Sequence, residues 1–176
     1  MTEFTNFKED LEKIKAFIFD IDGVLSKQTI SLDNDGNPMR TVNIRDGYSL
    51  QLAIKKGYKI AVISGGNSES FRERLESLGV NNVYLNCPDK LKVYSEYMET
   101  EDLGSEEILY MGDDIPDLEV MKLVGVAVCP ADADSEIKQI SQYISDKRGG
   151  EGCVRDVIEQ VLRLHGKWLN HDAYTW

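Results

Sequence analysis

Four places in this chain set chemically capable side chains at the ends of apolar runs. The first is Asp20 and Asp22, which close the run Lys15–Leu25 just before Gly23. Successive side chains of an extended strand point to opposite faces, so two carboxylates one residue apart project to the same side, and glycine lets the backbone turn away behind them. Like charges this close repel, and such a pair asks for a cation or a shared proton. The other three places are Ser64 ahead of Gly65 and Gly66, Lys90 at a loop–helix junction after Pro88–Asp89, and the acidic segment Gly112–Asp113–Asp114–Ile115–Pro116–Asp117. Taken singly, each has an ordinary reading, because Asp, Gly and Ser are common turn and cap residues and a lysine that opens a helix is usually solvated.

What could bring them together is the pattern of elements between them. Ala16–Phe19, Tyr58–Ile63, Val83–Leu85, Ile108–Met111 and Gly125–Cys129 are short apolar runs of the kind buried on both faces in parallel sheets. Helical patterns fall between them: about 46–56 closed by Gly57, 68–78 capped by Asn67 or Ser68, Lys90 to about Glu99, a brief helix to Leu123, and 133–141. A last strand near Gln142–Ser145 and an amphipathic helix Cys153–His165 end the ordered pattern. Strands alternating with helices predict right-handed crossovers, hence an α/β fold with a doubly wound, mostly parallel sheet. Ligands bind such sheets at the C-terminal ends of the strands, where all four places lie. The one insertion is a β-hairpin over about 26–44, with Gln28–Leu32 and Met39–Asn43 flanking the turn formers Asp33–Asn34–Asp35–Gly36–Asn37–Pro38. Residues 1–14 read as a polar lead-in or helix, and 166–176 as a mobile tail.

With 176 residues, 41% hydrophobic and 29% charged, the sequence predicts one globular domain over 1–176. The net charge of −11 repels nucleic-acid phosphates, and no basic stripe offsets it. No apolar stretch approaches the roughly 20 residues that span a bilayer, and the N-terminus is too polar for a signal peptide, so no membrane partner and a cytoplasmic location are expected. Cys87, Cys129 and Cys153 are odd in number and widely spaced, which predicts buried, reduced thiols.

The ordered set Asp20-x-Asp22, Ser64, Lys90 and Gly112–Asp113–Asp114-x-x-Asp117 resembles the four motifs of the haloacid dehalogenase superfamily, over about residues 15–165. The resemblance implies phosphoryl transfer, which needs an in-line nucleophile, neutralised equatorial oxygens and a proton for the leaving group. Asp20 would then attack phosphorus to form an aspartyl-phosphate. Asp22 would act as general acid and afterwards as base, its proton affinity raised by neighbouring negative charge. Ser64 and Lys90 would stabilise the charge that develops on the phosphoryl group. Mg²⁺ is the implied cofactor, held by Asp20, the Asp22 backbone carbonyl and Asp113, while Asp114 and Asp117 orient waters and Lys90.

Spacing narrows the class. The 41 residues between Asp22 and Ser64 and the 22 between Lys90 and Asp113 leave no room for a cap domain, so the site is open to water and either the substrate is large or, as the hairpin suggests, another subunit closes it. Asn43-x-Arg45–Asp46–Gly47–Tyr48 and Lys147–Arg148–Gly149–Gly150–Glu151–Gly152-x-Val154–Arg155 resemble the signatures of the capless 3-deoxy-D-manno-octulosonate 8-phosphate phosphatase branch. That resemblance implies a homotetramer, a small-molecule sugar-acid phosphate as substrate, lipopolysaccharide precursor synthesis as the setting, and substrate contacts from Gly65, Gly66, Arg45, Asp46, Arg148, Gly149 and Gly150. The second signature reads physically as a cationic, glycine-rich loop before a helix N-terminus, an anion site suited to a sugar-acid carboxylate, and by family analogy it reaches a neighbour's active site. A related branch acts on nine-carbon acid phosphates and tends to carry Glu where Gly66 stands. A phospho-accepting receiver domain is a further alternative, disfavoured because its acidic pair is adjacent, and a silent binding subunit is disfavoured because nucleophile and acid are both present. His165 and His171 are expected at the surface without a catalytic part.

Overall fold

The computed structural model describes residues 6–176; residues 1–5 of the lead-in lie outside it. Six parallel strands form one sheet in the order β5-β4-β1-β6-β7-β8: β1 (Ala16–Phe19), β4 (Lys59–Ile63), β5 (Asn82–Tyr84), β6 (Ile108–Met111), β7 (Val126–Cys129) and β8 (Tyr143–Ile144). β1 is central because it is buried on both faces, and β4 and β6 flank it in register, with Phe19 opposite both Val62 and Met111. The strand ends that carry Asp20, Ser64 and Gly112–Asp113 are therefore neighbours, although the chain separates them by dozens of residues.

Alternation along β1 builds two cores. Phe17 and Phe19 face α2 (Ile44–Lys55), α3 (Glu69–Ser77) and α7 (Cys153–Leu164); Ala16 and Ile18 face α4 (Lys90–Glu101), α5 (Leu118–Met121) and α6 (Ser135–Ile140). The helices begin where short polar side chains take orphan amides: Asn43 accepts from the N–H groups of Arg45 and Asp46, Ser68 from Phe71, Asp89 from Lys92 and Asp134 from Glu136. A short helix α1 (Phe7–Leu11) precedes the sheet.

The hairpin is shorter than its pattern suggests. Only β2 (Ser31–Leu32) and β3 (Pro38–Met39) pair, antiparallel. Asp33 folds the tip onto itself by accepting hydrogen bonds from the backbone of Asp35 and Asn37, which replaces ladder bonds with turn bonds. The tail expected to be mobile is docked: Trp168 and Ala173 are buried against α2 and α7, the Tyr48 hydroxyl donates to the Ala173 carbonyl, Trp168 and Trp176 meet the Tyr48 ring edge-on, and Arg155 lies 5.1 Å from the centre of the Trp168 ring. Tail aromatics give a polar segment enough apolar area to leave water. His165 stacks on Tyr58 and hydrogen-bonds its hydroxyl, a structural part. All three cysteines are free and buried. No helix among the described residues is long and apolar enough to cross a membrane.

Candidate active site

A cleft of about 1080 Å³ opens at the C-terminal edge of the sheet, and Asp20, Asp22, Ser64, Lys90, Asp113 and Asp117 all line it. Asp20 leaves β1 with its Oδ1 accepting from the Ile21 amide at 2.7 Å, while its Oδ2 lies 3.0 Å from Lys90 Nζ. The ammonium is fixed from the other side by Asp117 Oδ1 at 2.7 Å. Asp117 is saturated as an acceptor. Tyr110 Oη donates to Oδ1 at 2.6 Å, and the amides of Asp113 and Asp114 donate to Oδ2 at 3.1 and 3.4 Å.

Carboxylate oxygens of Asp20, Asp113 and Asp117 lie within 4.8 Å of one another. Burial pushes Asp20 up to about 7, with Asp117 adding to the shift and Lys90 opposing it. Asp113 also rises to about 7, first through burial and then through Asp117 and Asp114, against a hydrogen bond from Gln28. Lys90 is disfavoured as a cation by burial, but Asp20 and Asp117 outweigh that and hold its pKa above the usual lysine value. The cleft thus gathers more anionic groups than one ammonium can balance. A hard divalent cation fits the oxygen donors left over, those of Asp20 and Asp113, because Asp117 has spent its lone pairs on Lys90, Tyr110 and two amides. When bound, Mg²⁺ supplies positive charge to the phosphate oxygens.

Close approach explains two glycines. A Cβ on Gly23, whose φ is +86°, would sit 1.9 Å from Asp113 Oδ2, and one on Gly112 would sit 2.4 Å from the Asp117 side chain. Both loops therefore need glycine to bring the carboxylates together.

Asp22 is placed differently from the expectation. The charged group on it is a cation: Arg40, from the arm after β3, grips it through Nε–Oδ1 at 2.7 Å and Nη2–Oδ2 at 2.8 Å. Negative neighbours were expected there because the acid must hold a proton; the hairpin supplies a guanidinium instead. Ser64 is buried with its Oγ accepting from the Gly66 amide at 3.2 Å, and Gly65 and Gly66 form the adjoining wall. Asp114 is exposed and caps the turn after it through Ile115.

The remaining residues expected at the substrate are not gathered in this cleft. Asp46 is buried, and its Oδ1 accepts from the Arg155 amide at 2.8 Å, so the N-terminus of α7, read from sequence as an anion site, already holds this carboxylate. Its other oxygen has no partner, and burial raises the group to about 6 against the amides of Arg155 and Gly152. Arg45 is exposed on a separate surface beside Lys147 and Arg155. Arg148 is exposed and pairs with Asp132 at 3.4 Å. Gly149 and Gly150 act through their lack of a side chain: a Cβ on Gly149 would lie 1.9 Å from the Gly23 carbonyl, and one on Gly150 2.6 Å from the Lys27 amide. The glycine loop thus buttresses the Asp22–Gly23 turn.

Sequence reasoning missed three residues at the site. Tyr110 sits inside a strand and gave no signal beyond a buried hydroxyl that needs an acceptor. Gln28 Nε2 joins Asp113 Oδ2 at 3.1 Å to the Asp132 carbonyl at 3.0 Å, and Arg40 is an unpaired basic residue in an otherwise solvated hairpin until the fold brings Asp22 to it.

Comparison with known proteins decides the family. Residues 86–157 match the model of haloacid dehalogenase-like hydrolases. The chain is 34% identical over 156 residues, 89% of its length and 83% of the relative's, to the 3-deoxy-D-manno-octulosonate 8-phosphate phosphatase KdsC of Escherichia coli (strain K12). It belongs to the 3-deoxy-D-manno-octulosonate 8-phosphate phosphatase family. Among solved members of that family, the Yersinia pestis enzyme superposes with a TM-score of 0.88 at 32% identity, over 92% of this chain and 87% of that one. The Moraxella catarrhalis enzyme, crystallised with a magnesium ion, a phosphate ion and a KDO molecule, superposes with 0.86 at 28% identity, over 90% and 91%. Membership makes this chain a magnesium-using phosphoric monoester hydrolase without a cap domain.

Proposed function

We propose that this chain hydrolyses 3-deoxy-D-manno-octulosonate 8-phosphate to the free sugar acid and phosphate. The observation that carries the reaction class is the Lys90 ammonium held 3.0 Å from Asp20 by the saturated Asp117, in a cleft that Asp113 completes with a second carboxylate. The relatives' substrate supports the eight-carbon acid over the nine-carbon alternative. Asp20 attacks phosphorus and Lys90 spreads positive charge over the equatorial oxygens as they gain charge. Ser64 donates a hydrogen bond to the phosphoryl group. Asp22, at the cleft mouth, gives a proton to the departing alkoxide and then takes one from the water that opens the aspartyl-phosphate. Asp20 and Asp113 hold the metal.

The open cleft, the exposed Leu32, Met39 and Val42 of the hairpin arm and the exposed Ile44 at the start of α2, at 49–68% exposure, support self-association, which we propose to be a homotetramer. Phosphate release across a panel of eight- and nine-carbon sugar-acid phosphates, with and without EDTA, tests the reading. The eight-carbon ester is expected to turn over fastest and only with Mg²⁺; equal turnover of both acids, or full activity in EDTA, contradicts it. Asp20→Asn should fold normally and release no phosphate, and sedimentation should find four chains together.

A further inference from the structure

Asp113 does not offer its two oxygens equally to the cleft. Its Oδ2 is enclosed: Gln28 Nε2 donates to it at 3.1 Å, and the backbone of Gly23 presses so close that a Cβ there would fall 1.9 Å away. Its Oδ1 accepts no hydrogen bond among the described residues. The rest of the residue is fixed as well, since its amide donates to Asp117 Oδ2 at 3.1 Å and its carbonyl accepts from the Asp134 amide at 2.8 Å. One carboxylate oxygen is therefore spent before a cation arrives, and the other is left for it.

Gln28 is suited to this part. A primary amide carries two N–H donors, and here both go to acceptors, one to Asp113 Oδ2 and the other to the Asp132 carbonyl at 3.0 Å. With an oxygen on each side, the amide keeps its nitrogen inward. Its stretch of chain is tied down by the Lys27 amide, which donates to Thr41 Oγ1 at 3.0 Å, and by the Thr41 amide, which donates to Ser26 Oγ at 2.9 Å. The Asp132 end is anchored too: its Oδ1 accepts from the Gly149 amide at 2.9 Å, and the Gly150 amide reaches the Val24 carbonyl at 2.8 Å. The clamp thus closes a ring from the β1 turn through the glycine loop and back to Asp113. Being neutral, the amide orients the carboxylate without cancelling its charge. Gln28 is also exposed, so neither core depends on it.

An oxygen held in this way matters differently to different cations. Mg²⁺ is small, takes about six oxygens in a near-ideal octahedron and keeps several of its waters, so single oxygens from one or two carboxylates satisfy it. Ca²⁺ is larger, takes roughly six to eight oxygens and gains from carboxylates that give both of theirs. Withholding Oδ2 costs Ca²⁺ a ligand and costs Mg²⁺ none. We infer that Gln28 is a metal-selectivity residue: by clamping Asp113 Oδ2 it confines Asp113 to one oxygen for the cation, which favours Mg²⁺ over Ca²⁺. Gln28 is a positioning residue that acts through Asp113, and the inference rests on the reading above in which Asp113 holds the metal.

The test is calorimetric binding of Mg²⁺ and, separately, of Ca²⁺ to the substrate-free protein, for wild type, Gln28→Met, Gln28→Glu and Asp113→Asn. The wild type should bind Mg²⁺ more tightly. Gln28→Met keeps the length of the side chain and loses both donors; its Kd for Mg²⁺ should rise about tenfold, as when other groups that orient a metal ligand are removed, while its Kd for Ca²⁺ stays or falls. Gln28→Glu replaces the donor with a hard oxygen ligand and should move the preference further toward Ca²⁺; it carries the test alone if Gln28→Met does not fold. Equal changes for the two cations would give Gln28 a merely structural part and, like no change at all, would overturn the inference. So would a wild type that binds both ions alike. Asp113→Asn should lose Mg²⁺ binding. If it binds Mg²⁺ as the wild type does, the metal assignment falls and the inference with it; a loss there beside an unchanged Gln28→Met overturns the inference alone.

Discussion

Metal-free stability should depend on pH through Asp113, and the size of the effect follows from the cleft. Burial raises the Asp113 carboxyl from its ordinary 3.8 to about 7. A group whose pKa is raised on folding holds a proton that the unfolded chain has released between those two values. Its contribution is therefore fully present below about pH 4, declines as pH rises, and is gone above about pH 7. A shift of about three units corresponds to roughly 4 kcal/mol at the upper limit, and exchange of water into an open cleft brings the expected change to about 2–3 kcal/mol. Other carboxyls titrate in the same window, so the comparison that isolates Asp113 is wild type against Asp113→Asn. Urea unfolding in EDTA at pH 4.5 and pH 7.5 should show the asparagine variant gaining about 2–3 kcal/mol on the wild type across that interval. Adding Mg²⁺ at pH 7.5 should return the deficit to the wild type and do little for the variant. A difference between the two proteins that stays flat with pH would refute the argument that this cleft is short of positive charge.

Gly23→Ala should abolish Mg²⁺ binding measured by calorimetry, because the new methyl group occupies the place of Asp113 Oδ2 at a backbone angle that already disfavours it. Asp46→Ala removes the acceptor at the start of α7 and should cost about 1–2 kcal/mol in denaturant unfolding, with Asp46→Asn recovering much of it through its remaining amide oxygen. Trp168→Ala should cost about 3 kcal/mol and lower the thermal midpoint without changing Mg²⁺ affinity, since the tail docks on α2 and α7 away from the cleft. An unchanged midpoint would restore the mobile tail that composition suggests.

The catalytic edge was legible in sequence because a parallel sheet has a rule attached to it: strands buried on both faces read as short apolar runs, and whatever polar residue follows each run stands at the same edge. Phe17, Phe19, Ile63 and Met111 are each buried, and Asp20, Ser64 and Asp113 follow them into one cleft. Spacing also settled what is missing, since the intervals around the hairpin and α4 hold no cap. What sequence could not give is which side chains meet across chain distance. Asp46 reads as a polar residue beside a substrate signature, yet it is spent on the Arg155 amide 109 positions away. Arg40 reads as one charge in a solvated arm, yet it closes on Asp22 because the hairpin folds over the β1 turn and Gly66 leaves it room. Local pattern fixes where a backbone turns and which face is apolar; pairing between charges depends on ångström distances that only the packed sheet and its loops determine.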